Sequence, residues 1–419
     1  MANATQTATT GASVNKVWRK IQGKIVQGMN FDVEEFNQVG EITVPENIPY
    51  SAREVTMPVD IVEGAGAAQI DEGGFLARPS TPNMQEITIS MLQTDGRFNA
   101  TGLSEFGDDG DTNQLERQLV FQGADKLRTI ARHFGDYFYG ASTAYLAQVT
   151  AAVTGTTLTH TLQAGYGVSS ISSAAFLADK FRAGDYVSLI RSAALVTNAI
   201  GLVGNVDTTN GAITVTWAGA VTSVSGDYVV KANAMENTTI ATTDYNKGFV
   251  GLMSMLLDSS VHGLANTVAR WNPSYSDVTS TRFTGSKLHR ANDNVKNFGS
   301  SKGIDLVFID QGVNRDLINL RSAGVRFDDP MNMEIDGSIK SKGRTFFSSR
   351  RVPPGWVIPV DRSAIALWSL TPKPDGRYAW KDGKELIDQD LMVFDMRWPV
   401  SMVCRSRAKL TYFANQTTA

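Results

Sequence analysis

The chain has 419 residues, a formal charge of −3 and a single cysteine, Cys404. That length buries substantial cores and predicts roughly two or three domains. The near-neutral charge excludes a general affinity for nucleic acid or anionic membrane, and the lone cysteine excludes an intrachain disulfide framework.

Residues 1 to 12 are a Thr/Ala/Gln tract that cannot bury a core, and Asn415 to Ala419 resemble it, so both ends are expected to be mobile. The first residues lack the basic and apolar regions of a signal peptide, and no run of about eighteen apolar residues occurs. A soluble chain made in a reducing cytoplasm is expected. Next, Val14, Val17, Trp18, Ile21 and Ile25 fall at helical spacing opposite Lys16, Arg19, Lys20 and Lys24. This basic amphipathic helix suits nucleic acid, a partner helix, a neighbouring subunit or a face packed on its own domain.

Val55 to Ile61 alternate apolar residues with polar ones or proline at the period of a strand, and Glu86 to Met91 return in the same way. The stretch between them, Gly64 to Asn83, contains Gly64, Gly66, Gly73, Gly74, Pro79 and Pro82 and is long for a hairpin connection. A lone two-stranded ribbon is marginal in water, so it should find a third strand or an apolar surface, most simply on another copy of the chain.

After the acidic turn Gly107 to Asp111, Thr112 is an expected N-cap. Leu115, Leu119, Leu127, Ile130, Phe134 and Phe138 then form one apolar stripe. A helix from Thr112 to Tyr139 would be about 40 Å long at 1.5 Å per residue, the length of a strut.

From Thr150 to Asn237 the composition shifts to Ala, Thr, Val, Gly and Ser. Phe181 to Ile190 reads as a turn entering a strand, and Ile200 to Val206, Ala212 to Trp217 and Asp227 to Lys231 supply further strands. A small β-barrel or sandwich is expected. Mixed α/β then resumes, with helices at Tyr245 to Ser259, Ser286 to Phe298 and Val313 to Arg321 and a buried strand at Ile304 to Ile309. Strands follow at Trp356 to Val360 and Ala364 to Leu370, with a hairpin around Lys381 to Lys384. A last strand puts Cys404, Ser406, Ala408, Leu410 and Tyr412 on one face and Arg405, Arg407 and Lys409 on the other. Those cations would meet neighbouring carboxylates, a packaged polyanion or another subunit.

Catalytic patterns are absent from the sequence. His133, His160, His262 and His289 lie far apart, outside any His-Glu-x-x-His or cysteine-paired spacing. There is no Gly-x-Ser-x-Gly elbow, no Walker-type loop and no Gly-x-Gly-x-x-Gly opening a helix. Glu105 to Glu116 shares Gly110 and Glu116 with a calcium loop but has Gly107 where a ligand is needed. Cys404 reads as a core residue. No catalytic residue, cofactor or metal is expected, and the informative residues concern assembly.

The order of parts, basic arm, Gly-rich two-stranded loop, long helix, β insertion and mixed α/β ending in a long strand, resembles the major capsid proteins of tailed bacteriophages with the Hong Kong 97 fold. Its local echoes are Phe181 to Val187, Asn246 to Leu252 followed by Leu264 and Trp271-Asn272-Pro273, and Val352 to Trp356. The resemblance implies an α+β shell subunit: an N-terminal arm at 1–50, an extended loop at 51–106, the spine helix of a peripheral domain at 107–149 and a β-rich insertion at 150–237. Peripheral domain at 238–284, axial domain at 285–387 and a closing strand with tail at 388–419 complete it.

Further implications concern partners. Copies of the chain would form pentamers and hexamers of an icosahedral virion shell, assembled in the host cytoplasm and matured from a procapsid. They would be joined by a separate scaffolding protein, a portal and decoration proteins, and would touch packaged dsDNA weakly. Trp18, Phe75, Leu76 and Arg78 become candidates for contacts between subunits; Arg19, Lys20, Arg405, Arg407 and Lys409 become candidates for lumen or intersubunit charge. No lysine occurs between Lys24 and Lys126, so the lysine cross-link made from this loop in some relatives is not expected. An encapsulin-like nanocompartment shell and an enzyme with a mobile lid are the alternatives.

Overall fold

The computed structural model describes residues 34–40, 50–51, 54–62, 83–101, 113–140, 145–192, 194–231, 250–268, 270–324, 339–341, 344–369, 379–380, 384–386 and 389–417. Trp18, Arg19, Lys20, Phe75, Leu76 and Arg78, with the helix expected at residues 14–25, lie outside them. The chain divides into two units, one of residues 1–46, 91–135 and 367–401 and one of residues 47–90, 136–366 and 402–419.

Alternation makes the ribbon. β1 (Tyr50–Ser51), β2 (Glu54–Val62) and β3 (Asn83–Ser90) form an antiparallel sheet, with Val55 opposite Ile89, Met57 opposite Ile87 and a register shift between Asp60 and Val62. Val55, Val59, Ile87 and Ile89 are buried, while Pro58, Glu86, Thr88 and Ser90 are exposed. Part of the cover expected from another copy is supplied within the chain. Tyr50 pairs with Val55 to add a third strand, and the Thr88 N–H donates to the His262 carbonyl at 3.1 Å.

The long helix spans Asn113–Phe138, 26 residues, or about 39 Å at 1.5 Å per residue. Ile130, Phe134 and Phe138 of the expected stripe are buried, whereas Phe121, off the stripe, is 74% exposed. In the first unit Phe36, on the short helix Glu34–Val39, packs on Phe134 with ring centroids 5.9 Å apart. In the second, Phe138 and Tyr139 meet Phe308 edge-on at 5.3 and 5.8 Å. Beyond the helix end, a Cβ on Gly251 would lie 2.3 Å from the Gly140 carbonyl oxygen and 2.4 Å from that of Tyr137. Only glycine allows this approach.

The Thr/Val-rich insertion is a closed barrel. Its strands are β5 (Ala147–Val149), β6 (Thr154–Gln163), β7 (Tyr186–Arg191), β8 (Ala194–Asp207), β9 (Ala212–Thr222) and β10 (Tyr228–Lys231), in the order β10-β5-β6-β9-β8-β7. Leu158, His160 and Leu162 alternate into the interior with Thr157, Thr159 and Thr161 outside. The Arg182 N–H donates to Asp185 Oδ2 at 2.9 Å, and Gly184 takes φ +93°, which sets the turn into β7. Entry and exit adjoin, since β5 pairs with β10 and Tyr145 stacks on Tyr228 at 3.7 Å.

β11 (Ser260–Val261) and β12 (Leu264–Ala265) form a tight hairpin. β13 (Tyr275–Asp277), β14 (Leu306–Ile309), β15 (Ile339–Ser341), β16 (Arg344–Ser348), β17 (Val357–Val360) and β22 (Thr411–Phe413) make a six-stranded mixed sheet ordered β13-β22-β17-β14-β16-β15. Its core includes Phe283, Leu288, Ala291 and Val295, with Val313 and Leu317 from the helix Gln311–Gly324 and Val307, Phe346, Val357 and Phe413 from the strands. Leu288, Ala291 and Val295 recur on one side of the helix Gly285–Asn297, the i, i+3, i+7 pattern that seats it. Of the helix expected at residues 245–259, Leu252–Leu257 is helical and is bounded by extended Gly251 and Asp258, while residues 245–249 lie outside the described residues.

The closing region differs from the expectation. β18 (Ile365–Ser369), β19 (Ala379–Trp380) and β20 (Lys384–Leu386) join a sheet around β21 (Gln389–Cys404), which pairs along ten residues with β4 (Leu92–Thr101), from Leu391 opposite Thr101 to Val400 opposite Leu92. β19 and β20 both pair with β21 rather than with each other, and residues 381–383 of the hairpin expected at Lys381 to Lys384 lie outside the described residues. Nor do Cys404 to Tyr412 form one strand. The backbone leaves β21 at Cys404, makes a 3-10 turn at Arg407–Lys409 and re-enters a sheet at Thr411. Asn415 to Thr417, expected to be mobile, are held: Gln416 is 4% exposed, its N–H donates to the Gly355 carbonyl at 2.9 Å and its Oε1 accepts Lys287 Nζ at 2.8 Å.

Candidate functional site

The three cations assigned to one strand face have three different environments. Arg407 is 1% exposed; its Nε donates to the Met255 carbonyl at 2.6 Å, Nη2 to that of Asp258 at 2.6 Å and Nη1 to that of Trp271 at 3.4 Å. Burial lowers its pKa, yet the guanidinium fork suits converging carbonyls that an ammonium would fit poorly. Arg407 thus fastens the end of the helix Leu252–Leu257 and points into its own subunit. Arg405 is exposed, and Lys409 is half-buried with Nζ 3.3 Å from Ser363 Oγ. The 3-10 turn rotates the three side chains apart, which is why period-two counting fails here.

A second constellation lies at the C-terminal end of the long helix, where Asp136 is 6% exposed. Lys231 Nζ of β10 is 3.3 Å from Asp136 Oδ2 and 3.8 Å from Asp185 Oδ2, and Arg351 Nε is 3.7 Å from Asp136 Oδ1. Arg350 pairs with Asp179 beside them. Lys180 Nζ sits 3.0 Å from the Tyr166 ring centroid and 4.3 Å from that of Phe176. Burial holds Lys180 well below its ordinary pKa, opposed by the charge of Asp136. The cluster joins helix end, barrel and the loop after β16, and buried charges persist only when paired in this way. Its members are scattered through the sequence, so spacing gave no signal for them.

Three further titratable groups, His160, His262 and Cys404, are buried. His160, inside the barrel and edge-on to Trp217 at 5.5 Å, is pushed by burial down to about 4. His262 is likewise pushed by burial down to about 4, and its Nε2 accepts the Cys404 N–H at 3.1 Å. Burial raises the Cys404 thiol to about 12, so it is held as a thiol rather than a nucleophilic thiolate. Among the described residues no group of three or more His, Cys, Asp or Glu is placed to hold a metal, and no described helix is long and apolar enough to cross a membrane. A solvent-open cleft of about 600 Å³ is lined by Asp310, Gln311, Arg315, Pro354 and Gln416 among others. It brings together no acid–base or nucleophile–base pair.

No protein-family model and no curated protein matches the sequence. Solved structures do. A chain of the capsid asymmetric unit of cyanophage A-1(L) is similar at a TM-score of 0.51 and 10% identity, over 87% of this chain and 88% of that one. A chain of the capsid of a native GTA particle is similar at 0.44 and 11% identity, over 91% and 90%. A chain of the SrpI encapsulin complex of Synechococcus elongatus is similar at 0.42 and 10% identity, over 99% and 92%. Over nearly all of its length, then, the chain shares a mixed α+β fold with a chain of a cyanophage capsid.

Proposed function

We propose that this chain is a structural subunit that self-assembles into an icosahedral shell, as the major capsid protein of a tailed dsDNA bacteriophage with the Hong Kong 97 fold. The observation that carries the proposal is the fold held in common with the cyanophage capsid chain over 87% of the sequence. In this reading β2 and β3 are the base of the extended loop, Asn113–Phe138 is the spine helix, the closed barrel is an insertion domain and β14 to β17 of the mixed sheet fall in the axial region at 285–387, whereas β13 and β22 come from segments assigned to the peripheral domain. The basic arm and the loop residues Phe75, Leu76 and Arg78 lap over neighbouring subunits. Interlocking of this kind lets weak contacts hold a large particle by effective concentration, and heterologous contacts close into rings when the angles allow.

The chemistry agrees with a building block. Arg407, Lys231 and Asp136 are used inside the subunit, and no described site presents the groups of a reaction. Portal, scaffolding and decoration proteins are the partners this reading implies. Sedimentation of the full chain, expressed with and without a scaffolding partner, tests it: particles far larger than a hexamer are expected. A stable monomer or small oligomer in both cases overturns it. Nucleic-acid content of the particles separates a genome shell from an enzyme-loaded nanocompartment.

A further inference from the structure

We infer that His262 is a proton-sensitive latch holding the base of the ribbon to the closing strand. It occupies the first of the two turn positions between β11 and β12, where Val261 pairs with Leu264. His262 has φ +51° and Gly263 φ +83°, the left-handed pair of a tight hairpin turn in which Asn-Gly is the favoured sequence. A histidine is less comfortable than asparagine in that conformation. The turn alone does not account for an imidazole here.

Its side chain does. Nε2 accepts the main-chain N–H of Cys404, the last residue of β21, at 3.1 Å, and the residue is 7% exposed. The carbonyl of the same residue accepts the Thr88 N–H of β3 at 3.1 Å. One residue therefore ties the ribbon edge to the closing strand. The Trp271 indole N–H donates to the Val261 carbonyl at 3.3 Å, and Arg407 holds Trp271 from behind. The neighbours on these elements are Thr88, the Cys404 thiol, Trp271 and Arg407, whose charge acts on Cys404; burial alone acts on the imidazole and keeps it neutral down to about pH 4.

Nε2 can accept only while it carries no proton. An imidazolium would place a donor against the Cys404 N–H and leave that buried group unpaired, so the turn must move and the Thr88 bond goes with it.

Hydrogen exchange on the full chain tests the latch, comparing residues 83–90 with residues 306–309 of β14 as an internal reference for global unfolding. Wild-type protection at Thr88 should fall about tenfold further than that of β14 as pH drops from about 6.5 to about 4, the window in which an opened His262 binds a proton and the latched one does not. H262Q, which offers a non-titrating acceptor, should keep its protection at low pH. H262N suits the turn but is too short to reach Cys404, and should lack the extra protection at every pH. Ribbon and β14 losing protection together, H262Q following the wild-type pH profile, or H262N protecting Thr88 as the wild type does would each overturn the inference.

Discussion

Lys231 Nζ lies 3.3 Å from Asp136 Oδ2, with only 3% and 8% of the two side chains exposed. The pair binds the last strand of the barrel to the end of the long helix, and Asp185 and Arg351 complete its surroundings. Removing one partner of a buried pair strands the other charge without water. Lys231→Met should therefore destabilise the protein by roughly 3 kcal/mol, measured as a lower denaturant midpoint. D136N with K231M should recover part of that loss, because position 136 then no longer carries a buried charge deprived of its lysine.

Arg407 and Arg405 are two residues apart and should behave as unlike residues. Arg407→Ala leaves the Met255 and Asp258 carbonyls without their 2.6 Å donors and should cost about 3 kcal/mol. Arg407→Lys should recover little, since an ammonium cannot reproduce the fork. Arg405→Ala, at an exposed position, should change stability by less than about 0.5 kcal/mol. Equal effects at the two positions in chemical denaturation would contradict the assignment of Arg407 to the interior.

Ribbon and strut were legible in the sequence because both rest on local periodicity. Val55, Val59, Ile87 and Ile89 alternate inward, and Ile130, Phe134 and Phe138 recur on one helical face. β4 was harder to read: Gln93, Asp95, Arg97 and Asn99 do alternate with Leu92, Thr94, Gly96, Phe98 and Ala100, but only Leu92 and Phe98 are large apolar residues and Gly96 interrupts the face, so the strand leans on ten residues of pairing with β21, about three hundred positions away. The break at Arg405–Lys409 was hidden for a related reason. Its residues carry no glycine or proline, and the turn is held by Arg407 reaching the Met255, Asp258 and Trp271 carbonyls. The charge cluster at Asp136 draws on residues 136, 180, 185, 231 and 351, which only the fold assembles. Phe75, Leu76 and Arg78 remain proposals resting on the resemblance.

His160 should make the fold acid-sensitive before general acid denaturation begins. In the barrel it stays neutral down to about pH 4, whereas an unfolded histidine takes up a proton near its ordinary 6.5. The unfolded state therefore binds more protons between these values, and stability falls as pH drops through that window, by about 3 kcal/mol in total. Above 6.5 the contribution is constant. His160→Leu should flatten this part of the profile, so that the variant gains on wild type in denaturant midpoint on going from pH 7.5 to pH 5. A parallel offset at both pH values would show that burial of the imidazole is not the cause.

Gly251 is predicted to tolerate no side chain. A Cβ there would overlap the Gly140 and Tyr137 carbonyl oxygens at 2.3 and 2.4 Å, and both are main-chain atoms with no rotamer to yield. Gly251→Ala should cost about 3 kcal/mol or more, seen as a fall in melting temperature or loss of soluble protein. A variant as stable as wild type would mean that the segment before Leu252–Leu257 does not pack on the helix end.

Copies of this chain are proposed to enclose a space, and electron cryomicroscopy of the purified assembly tests this most directly. An icosahedral shell with ribbons crossing from one copy onto the next, the barrel inserted after the long helix in each copy, is the predicted result. A uniform population of monomers or small closed oligomers would contradict it.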